Sequence, residues 1–253
     1  MRINYDKHIG RVLFIVEGSH TEFSLLRRIF CNLLKYSYIE KRRNLPSYFV
    51  STQDKNSQVA VINTRESNIR DISENDNFLD EVMDVLREKY QFPVDQAAIY
   101  YLFDRDPKSN TDTELIQKYI RTLTNPYDNE GYYKAGQLLL SYPSIESYVV
   151  SNFIDDTKSI CYSLGSDVKT FIGQNPSIQL NKIGGHTLIH AAEEFLDYLS
   201  SEDVKTLDID HFSETSAKIF TVQEKSYLEG QGFNLFSMLT LAFLQMGLLE
   251  IEF

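Results

Sequence analysis

The sequence has few cysteines and no long uninterrupted hydrophobic run. Its two cysteines, Cys31 and Cys161, form neither a CxxC pair nor a zinc-ligand spacing. Two isolated thiols in a chain of this size are typical of a reducing cytoplasm. The apolar stretch near the N-terminus, residues 12–16, is short and is followed at once by an acid, so it does not resemble a secretory signal peptide. We therefore expect a cytoplasmic protein.

Residues 230–249 carry no charge and approach the length of a membrane span. Polar side chains and three glycines interrupt this stretch, so a membrane span is not the better interpretation. We expect instead a helix over residues 234–249 that is buried or faces a partner, and no membrane contact.

Basic residues are scarce in the second half of the chain. The net charge is −11; residues 1–151 contain 19 basic and 21 acidic residues, whereas residues 152–253 contain 6 and 15. Nucleic-acid binders usually present a basic face, because phosphate neutralisation supplies much of their affinity. Only the first half can present such a face, from Arg27, Arg28 and the run Lys41–Arg43.

The first 150 residues alternate between strand and helix patterns. Short apolar runs predict strands at residues 11–16, 48–52, 59–63, 97–103 and 136–141. Helical spacing of apolar residues predicts helices at residues 21–36, 78–90 and 112–123, and the polar residues 64–77 read as a loop. This alternation indicates an α/β fold with a mostly parallel sheet flanked by helices.

After Pro143 the pattern becomes helical. Helices are predicted near residues 144–154, 187–199, 213–229 and 234–249. We therefore expect a boundary near residue 150, with an α/β catalytic domain at residues 1–150 and an α-helical domain at residues 151–253.

Acidic residues end the two most apolar predicted strands. Glu17 and Gly18 follow the first strand, and Asp104 and Asp106 follow the strand at residues 97–103. The carboxyl ends of neighbouring parallel strands meet at one crevice. Alternation along an extended chain places Asp104 and Asp106 on one side with Arg105 pointing away. Such a group of carboxylates suits Mg²⁺ or Mn²⁺ and the metal-assisted transfer of a phosphoryl group.

Two glutamates are further candidate ligands. Glu22 has two candidate roles: it completes a capping box that begins at Ser19, or it binds the metal. The sequence does not separate them, since a capping glutamate at the exit of the first strand would also face the crevice. Pro143 suits the first turn of a helix, and Glu146 would then lie in that turn near the same crevice.

Basic residues near the predicted site are candidates for substrate binding. Lys108 closely follows the DxD sequence, and Arg27 and Arg28 lie on the helix after Glu17. His186 and His190 are four residues apart on a predicted helix, but they lack the intervening glutamate of a zinc-protease HExxH motif.

These motifs resemble a known family. The run from Phe14 through Glu17 and Gly18 to Thr21 and Glu22, with the later Asp104-Arg-Asp106, resembles the TOPRIM domain of topoisomerases, primases and OLD nucleases. The resemblance covers residues 10–150 and implies a TOPRIM-like fold in which the strand-end glutamate and the DxD pair carry the chemistry with Mg²⁺. The EGxxTE and FDRD forms and the late Glu146 are most similar to the small nucleases of phage-defence systems, the RloB, AbiL and PARIS-type effectors.

The resemblance implies a Mg²⁺-dependent endonuclease. Its catalytic residues would be Glu17, Asp104 and Asp106, its metal ligands these three with Glu22 and Glu146, and its substrate RNA, tRNA included, or DNA. The family context implies a phage-defence effector that works beside an ABC-type ATPase. That ATPase would be another chain, since this one has no GxxxxGK[ST] loop. Self-association is left open.

Other functions remain open at this stage. A nucleotide-sugar glycosyltransferase also binds Mn²⁺ through a strand-terminal DxD, but it leaves Glu17 and Glu146 without a role. A phosphatase with an aspartate nucleophile usually has Thr or Val soon after the second Asp, and here Pro107 follows. The remaining alternative is a non-catalytic regulatory module whose acids only cap helices and form ion pairs.

Overall fold

The computed structural model describes residues 1–39, 47–64, 67–74, 76–127, 136–204 and 207–252. Its strands are β1 Arg2–Ile3, β2 Arg11–Val16, β3 Tyr36–Ile39, β4 Ser47–Ser51, β5 Gln58–Asn63, β6 Ala97–Asp104, β7 Thr124–Asn125, β8 Gly136–Tyr142, β9 Cys161–Tyr162, β10 Phe233–Asn234, β11 Phe236–Ser237 and β12 Leu249–Glu250. Its α-helices are α1 Thr21–Arg27, α2 Asp71–Glu74, α3 Asp76–Tyr90, α4 Thr113–Thr122, α5 Glu146–Ser151, α6 Gly165–Gln174, α7 Gly185–Ser201, α8 Ser213–Leu228 and α9 Leu239–Gln245. A π-helix, Arg28–Leu33, continues α1, and 3₁₀ turns occupy Val94–Gln96, Thr157–Ser159 and Leu180–Lys182.

The main sheet has a parallel centre and antiparallel edges. Its strand order is β11-β8-β6-β2-β5-β4-β3, and β7 also pairs with β8. The four central strands, β8, β6, β2 and β5, run parallel to one another. The outer strands β11, β7, β4 and β3 are antiparallel to their neighbours. The predicted α/β class with a mostly parallel central sheet flanked by helices is confirmed.

The central strands are apolar along their whole length because both faces of the sheet are covered. Every residue of β2 from Val12 to Val16 is fully buried, and all of β6 from Ala97 to Phe103 is buried. A parallel sheet with helices on both faces produces such continuous apolar runs. This burial explains why the two strands were the clearest in the sequence.

The order of the central strands opens a crevice at their carboxyl edge. After β2 the chain forms β3, β4 and β5 on one side of β2. It then crosses to form β6 on the other side of β2. The connections after β2 and β6 therefore lead away in opposite directions. Ligand sites of open α/β sheets lie at such reversals of strand order.

The C-terminal part is mainly helical but also rejoins the sheet. α6, α7, α8 and α9 follow residue 151, as the predicted helical region requires. β11 pairs with β8, and β12 pairs with β1. The predicted boundary near residue 150 falls within α5, and one continuous core includes both Phe14 of β2 and Phe236 of β11.

Several predicted helices have different bounds. The helix predicted over residues 21–36 ends at Leu33, and Tyr36 already begins β3. The helix predicted over residues 234–249 is wrong: this stretch contains β11, α9 and the start of β12. Pairing with β8 and β1 imposes extended backbone on those residues, which local periodicity does not reveal. Within the described ranges, no helix combines the length and apolar character that crossing a membrane requires.

Candidate functional site

Two acidic side chains meet at the carboxyl edge of the central strands. β2 and β6 are adjacent and parallel, with Val16 opposite Leu102, so Glu17 and Asp104 arrive at the same edge. The backbone N–H of Glu17 donates to the carbonyl oxygen of Leu102 at 3.1 Å. The backbone N–H of Asp104 donates to Oε2 of Glu17 at 3.0 Å. Strand pairing thus brings these two predicted site residues together.

Two more carboxylates approach from helices. Oε1 of Glu22, on α1, accepts a hydrogen bond from the backbone N–H of Gly18 at 2.8 Å. Oε1 of Glu146, the first residue of α5, accepts one from the hydroxyl of Thr21 at 2.9 Å. Glu17, Glu22 and Glu146 are only 5–6% exposed. We call Glu17, Glu22, Asp104 and Glu146 the carboxylate cluster.

Gly18 permits the close approach of Glu22. A Cβ atom at position 18 would lie 2.8 Å from Oε1 of Glu22, so a side chain there would displace the carboxylate. The capping box predicted at Ser19 is wrong, because His20 precedes α1 and makes no side-chain capping bond. Glu22 instead reaches back to the backbone of Gly18, and this bond fixes its carboxylate toward the crevice.

Burial makes Glu17, Glu22 and Asp104 costly to ionise. Burial raises the pKa of Glu17 to about 7, although hydrogen bonds from Asp104 and Asn110 oppose the change. Burial also raises the pKa of Glu22, and the charge of Glu146 raises it further. Asp104 keeps some solvent exposure, yet burial and the neighbouring negative charges hold its pKa well above its ordinary value. A bound cation would let these groups ionise together.

The carboxylate cluster offers oxygen ligands for a divalent cation, although no three of its side chains place ligand atoms within 4.8 Å of one another, so a bound ion would have to draw the carboxylates together. Oε2 of Glu146 is buried and has no hydrogen-bond partner among the described residues. The basic side chain paired with the cluster in the described part of the chain is Lys169, whose Nζ lies 3.6 Å from Oε1 of Glu146. Lys169 is 61% exposed, so it neutralises little of the buried charge. Oxygen ligands of this kind are those that Mg²⁺ and Mn²⁺ prefer.

Asn110 is a buried amide that holds the two strand-end acids in place. Its Nδ2 donates to Oε2 of Glu17 at 2.8 Å and to the carbonyl oxygen of Asp104 at 2.6 Å. Its Oδ1 accepts from the backbone N–H of Ile69 at 2.9 Å. Asn110 is therefore a positioning residue of the site. The sequence offered no signal for it, because nothing in the loop after Asp106 distinguishes one polar residue from the next.

Asp106 lies beside the carboxylate cluster and bonds elsewhere. Its Oδ2 accepts from the backbone N–H of Gly165 at 2.9 Å, at the start of α6. Its Oδ1 accepts from the backbone N–H of Lys108 at 2.9 Å. No described hydrogen bond links its carboxylate to the side chains of the cluster. The structure thus separates the two acids of the DxD sequence, since Asp104 belongs to the cluster and Asp106 binds the first turn of a C-terminal helix.

Arg105 points away from the carboxylate cluster, as strand alternation predicts. Its side chain is 3% exposed and pairs with Glu224 of α8. Nε and Nη2 donate to the two carboxylate oxygens of Glu224 at 2.6 and 2.8 Å, and Nη1 donates to the carbonyl oxygen of Asn110 at 3.0 Å. A bidentate buried pair of this kind fixes the loop geometrically. α8 therefore supports the loop that carries Asp104.

The basic residues predicted to bind substrate lie apart from the carboxylate cluster. The guanidinium of Arg27 lies 4.5 Å over the ring of Tyr38, and Nε of Arg28 donates to the carbonyl oxygen of Ile183 at 2.8 Å. Lys108 is exposed and contacts Asp106 only through its backbone N–H. The run Lys41–Arg43 lies outside the described residues.

A second polar cluster lies between the end of α5 and α7. Ligand atoms of Asp155, His190 and Glu194 lie within 4.8 Å of one another. Nδ1 of His190 faces the carbonyl oxygen of Ser151, and Nε2 faces Oδ1 of Asp155, both at 2.7 Å. Two acceptors suit the protonated imidazole, in which both ring nitrogens donate. Burial lowers the pKa of His190, but the two hydrogen bonds and the nearby negative charges outweigh burial and raise it. Oε2 of Glu194 accepts from the backbone N–H and the hydroxyl of Thr157, both at 2.8 Å, so all three side chains have protein partners.

Comparison with known proteins adds no homologue to this description. No family model matches the chain, and neither the curated proteins nor the solved structures contain a match. The function must therefore be argued from the geometry and chemistry of the carboxylate cluster.

Proposed function

We propose that this chain is a metal-dependent phosphodiester hydrolase, a nuclease that uses Mg²⁺ or Mn²⁺ at the carboxylate cluster. One observation carries the proposal: four carboxylates, at or beside the ends of β2, α1, β6 and α5, face one crevice at the carboxyl edge of parallel strands, where the charges of the three glutamates all act on Asp104. Burying unpaired carboxylates destabilises a fold. Carboxyl groups with strongly raised pKa values in a crevice are characteristic of functional sites.

Glu22, Asp104 and Glu146 would hold the ion. Oε2 of Glu146 can bind it without losing a hydrogen bond, since that oxygen has no partner among the described residues. When bound, the ion supplies positive charge that stabilises a transferring phosphoryl group and lowers the pKa of a coordinated water. Its charge also offsets the burial and the neighbouring negative charges that raise the pKa values of Glu22 and Asp104.

Glu17 is proposed to transfer a proton. Its Oε2 is held by the backbone N–H of Asp104 and the amide of Asn110, which fix the orientation of the carboxylate. The carboxylate, which Ser109 also contacts, would accept a proton from the attacking water or return one to the leaving oxygen. A pKa of about 7 is close to the value at which a general acid or base is most effective near neutral pH.

Lys169 is proposed as the first contact for a substrate phosphate. Its ammonium lies 3.6 Å from Oε1 of Glu146 and is largely exposed. A compact ammonium on a flexible stem can exchange a carboxylate oxygen for a phosphate oxygen. Arg28 is less suited to this role because its side chain already binds the carbonyl oxygen of Ile183.

The proposal includes the family context that the motifs suggest. Glu17 and Asp104, on which the TOPRIM resemblance rests, lie side by side. Nucleic acid is the proposed substrate, a separately encoded ABC-type ATPase the proposed regulatory partner, and phage defence in the cytoplasm the proposed setting. A DxD glycosyltransferase has less support, because Asp106 binds α6 while three glutamates accompany Asp104.

The test is metal binding and cleavage by the purified full chain. Calorimetry with Mg²⁺ and Mn²⁺ should show binding by the wild type and by Glu17→Gln, and little binding by Glu146→Gln. Single-stranded RNA, tRNA and plasmid DNA should be cut by the wild type only when metal is present. Glu17→Gln should bind metal but cut none of them.

Glu88→Gln is the matched control, because it removes one exposed carboxylate on α3 and should change neither measurement. Wild-type protein that binds neither metal would refute the proposal. Metal binding without cleavage of any substrate, even after addition of an ATPase encoded beside this chain, would exclude the nuclease and leave a metal site alone.

A further inference from the structure

A shallow cleft of about 730 Å³, widely open to solvent, lies between the start of α1 and the chain around α6. His20, Thr21 and Ser24 line one side, and residues 172–173, 176 and 178–181 line the other. The first wall comes from the N-terminal α/β part and the second from the C-terminal helical part. Neither part forms the cleft alone.

The cleft adjoins the carboxylate cluster. Thr21 lines the cleft and also donates its hydroxyl hydrogen to Oε1 of Glu146 at 2.9 Å. Lys169, which pairs with Glu146, lies one helical turn before Ile172 and Gly173 of the cleft wall, on the same face of α6. A ligand in the cleft would therefore reach both Lys169 and the cluster.

The walls combine aliphatic surface with polar edges. Ile172, Pro176 and Leu180 provide apolar surface, and the side-chain amides of Gln179 and Asn181 add donors and acceptors. Apolar walls with a few placed polar groups are the usual form of a small-ligand site. A nucleobase matches them, since its faces are apolar and its edge carries hydrogen-bonding groups.

Positive charge lies at both ends of the cleft wall. Lys169 precedes the wall on α6, and Nζ of Lys182 donates to the carbonyl oxygen of Pro176 at 2.8 Å. A base between two lysines would have its 5′ and 3′ phosphates near positive charge, and phosphate contacts are what position a strand on a protein. A free base or a neutral peptide would not use both lysines.

We propose that this cleft binds one unpaired nucleoside of the substrate, next to the phosphate that occupies the carboxylate cluster. The inference rests on the proposed nuclease function and specifies its substrate as a single-stranded segment, such as a loop or an end. A base within a continuous duplex is stacked and paired, so it cannot enter the cleft without being flipped out.

Gly173 offers a clean way to block the cleft. It lines the cleft, is helical, and a Cβ atom added there would have no atom within 4 Å. Gly173→Phe should therefore fill the cleft without disturbing the fold, because glycine is also the weaker helix former. Gln174→Phe is the matched control: it adds a similar ring to the next, exposed residue of α6, which does not line the cleft.

The test uses a fluorescein-labelled single-stranded RNA decamer and the same strand annealed to its complement. Fluorescence anisotropy at low salt in EDTA measures binding without metal, and gel assays with Mn²⁺ measure cleavage. We expect the single strand to bind the wild type at least about tenfold more tightly than the duplex, since a tenfold ratio needs only about 1.4 kcal/mol of contact with the base. Gly173→Phe should remove that contact and weaken single-strand binding about tenfold, and Gln174→Phe should bind like the wild type.

The two proposals fail in different ways. Loss of single-strand binding in Gly173→Phe, in a protein that binds no metal and cuts nothing, would support the cleft and refute the nuclease. Metal-dependent cleavage with equal binding and cutting by Gly173→Phe and the wild type would support the nuclease and overturn the cleft. Equal wild-type affinity for single strand and duplex would also overturn it. Thermal unfolding of both phenylalanine variants should match the wild type, which shows that any loss comes from the cleft.

Discussion

The N-terminal sheet and the C-terminal helices contribute to the site in different ways. The sheet provides acids at strand ends, where backbone pairing sets the position of Glu17 and Asp104. The C-terminal region has a net charge of −9, yet it provides Lys169, the cation beside Glu146. The placement of one side chain therefore matters more at this site than the summed charge of the region that carries it.

The C-terminal helices also bind the loop that carries Asp104 and Asp106. Glu224 of α8 binds Arg105, and the backbone N–H of Gly165 binds Asp106. Residues 1–150 thus contain the four clustered carboxylates but not all of their support. The following predictions separate the two contributions, beginning with the largest expected effect.

Asp104→Asn tests the contribution of the sheet to the site most directly. We expect its affinity for Mn²⁺, measured by calorimetry, to fall by at least about 100-fold, because changes at a metal site commonly cost this much. In EDTA the variant should be at least as stable as the wild type, since it removes a buried carboxyl that repels Glu17. Unchanged metal affinity would remove Asp104 from the site.

Glu224→Ala tests the contribution of the C-terminal helices, because Glu224 lies on α8. This change leaves the guanidinium of Arg105 buried without its partner, and such losses typically destabilise a protein by about 3–5 kcal/mol. Urea unfolding should show the loss, and Mn²⁺ affinity should fall because the loop carrying Asp104 loosens. The control on the same helix is Lys225→Ala, which removes only an exposed pair with Glu229 and should leave stability unchanged. Equal stability of the two variants would show that α8 does not support the loop.

The raised pKa of Glu17, at the end of β2, should make the stability of the protein depend on pH. The pKa of Glu17 is about 7 in the folded protein and 4.5 ordinarily, so between these values the folded state binds more protons than the unfolded state. Without metal, the free energy of unfolding should therefore be highest below the ordinary pKa of 4.5. It should fall as the pH rises from there through the folded-state pKa of about 7. The loss is on the order of 3 kcal/mol, at about 1.4 kcal/mol per unit of pKa.

Thermal unfolding in EDTA across this range measures the effect. Glu17→Gln should make the curve less steep, and the part that remains comes from Glu22 and Asp104, whose pKa values are also raised. Excess Mn²⁺ should restore stability at the high-pH end, where the carboxylates are ionised. Stability that rises between the two pKa values would contradict the raised pKa of Glu17.

The smallest change in metal affinity is expected at Thr21, which lies between the carboxylate cluster and the cleft. Thr21→Val keeps the shape of the side chain but removes the hydroxyl that donates to Glu146. One such hydrogen bond contributes about 1 kcal/mol, so Mn²⁺ affinity should change by no more than about fivefold. Thr21→Ser restores the donor and should recover the wild-type value. Failure of serine to rescue would place the role of Thr21 in packing.

The sequence predicted the parts of the fold that depend on local pattern. The strands at residues 11–16 and 97–103 were apparent because both faces of the sheet are buried, and the acids that follow them were then expected at one edge. The pattern failed for α6, which is short of large apolar residues on its exposed turns. It also failed for residues 234–249, where pairing with distant strands overrides helical spacing.

The sequence by itself determined that Glu17 and Asp104 would each follow a buried strand of an α/β sheet, because burial of both faces demands continuous apolar strands. Only the tertiary structure decided that these two strands are neighbours and which groups surround the acids. Arg105 and Glu224 are 119 residues apart in the chain, and Thr21 and Glu146 are 125 apart. Contacts at such separations depend on how helices pack across the sheet, and no periodicity within one segment encodes that packing.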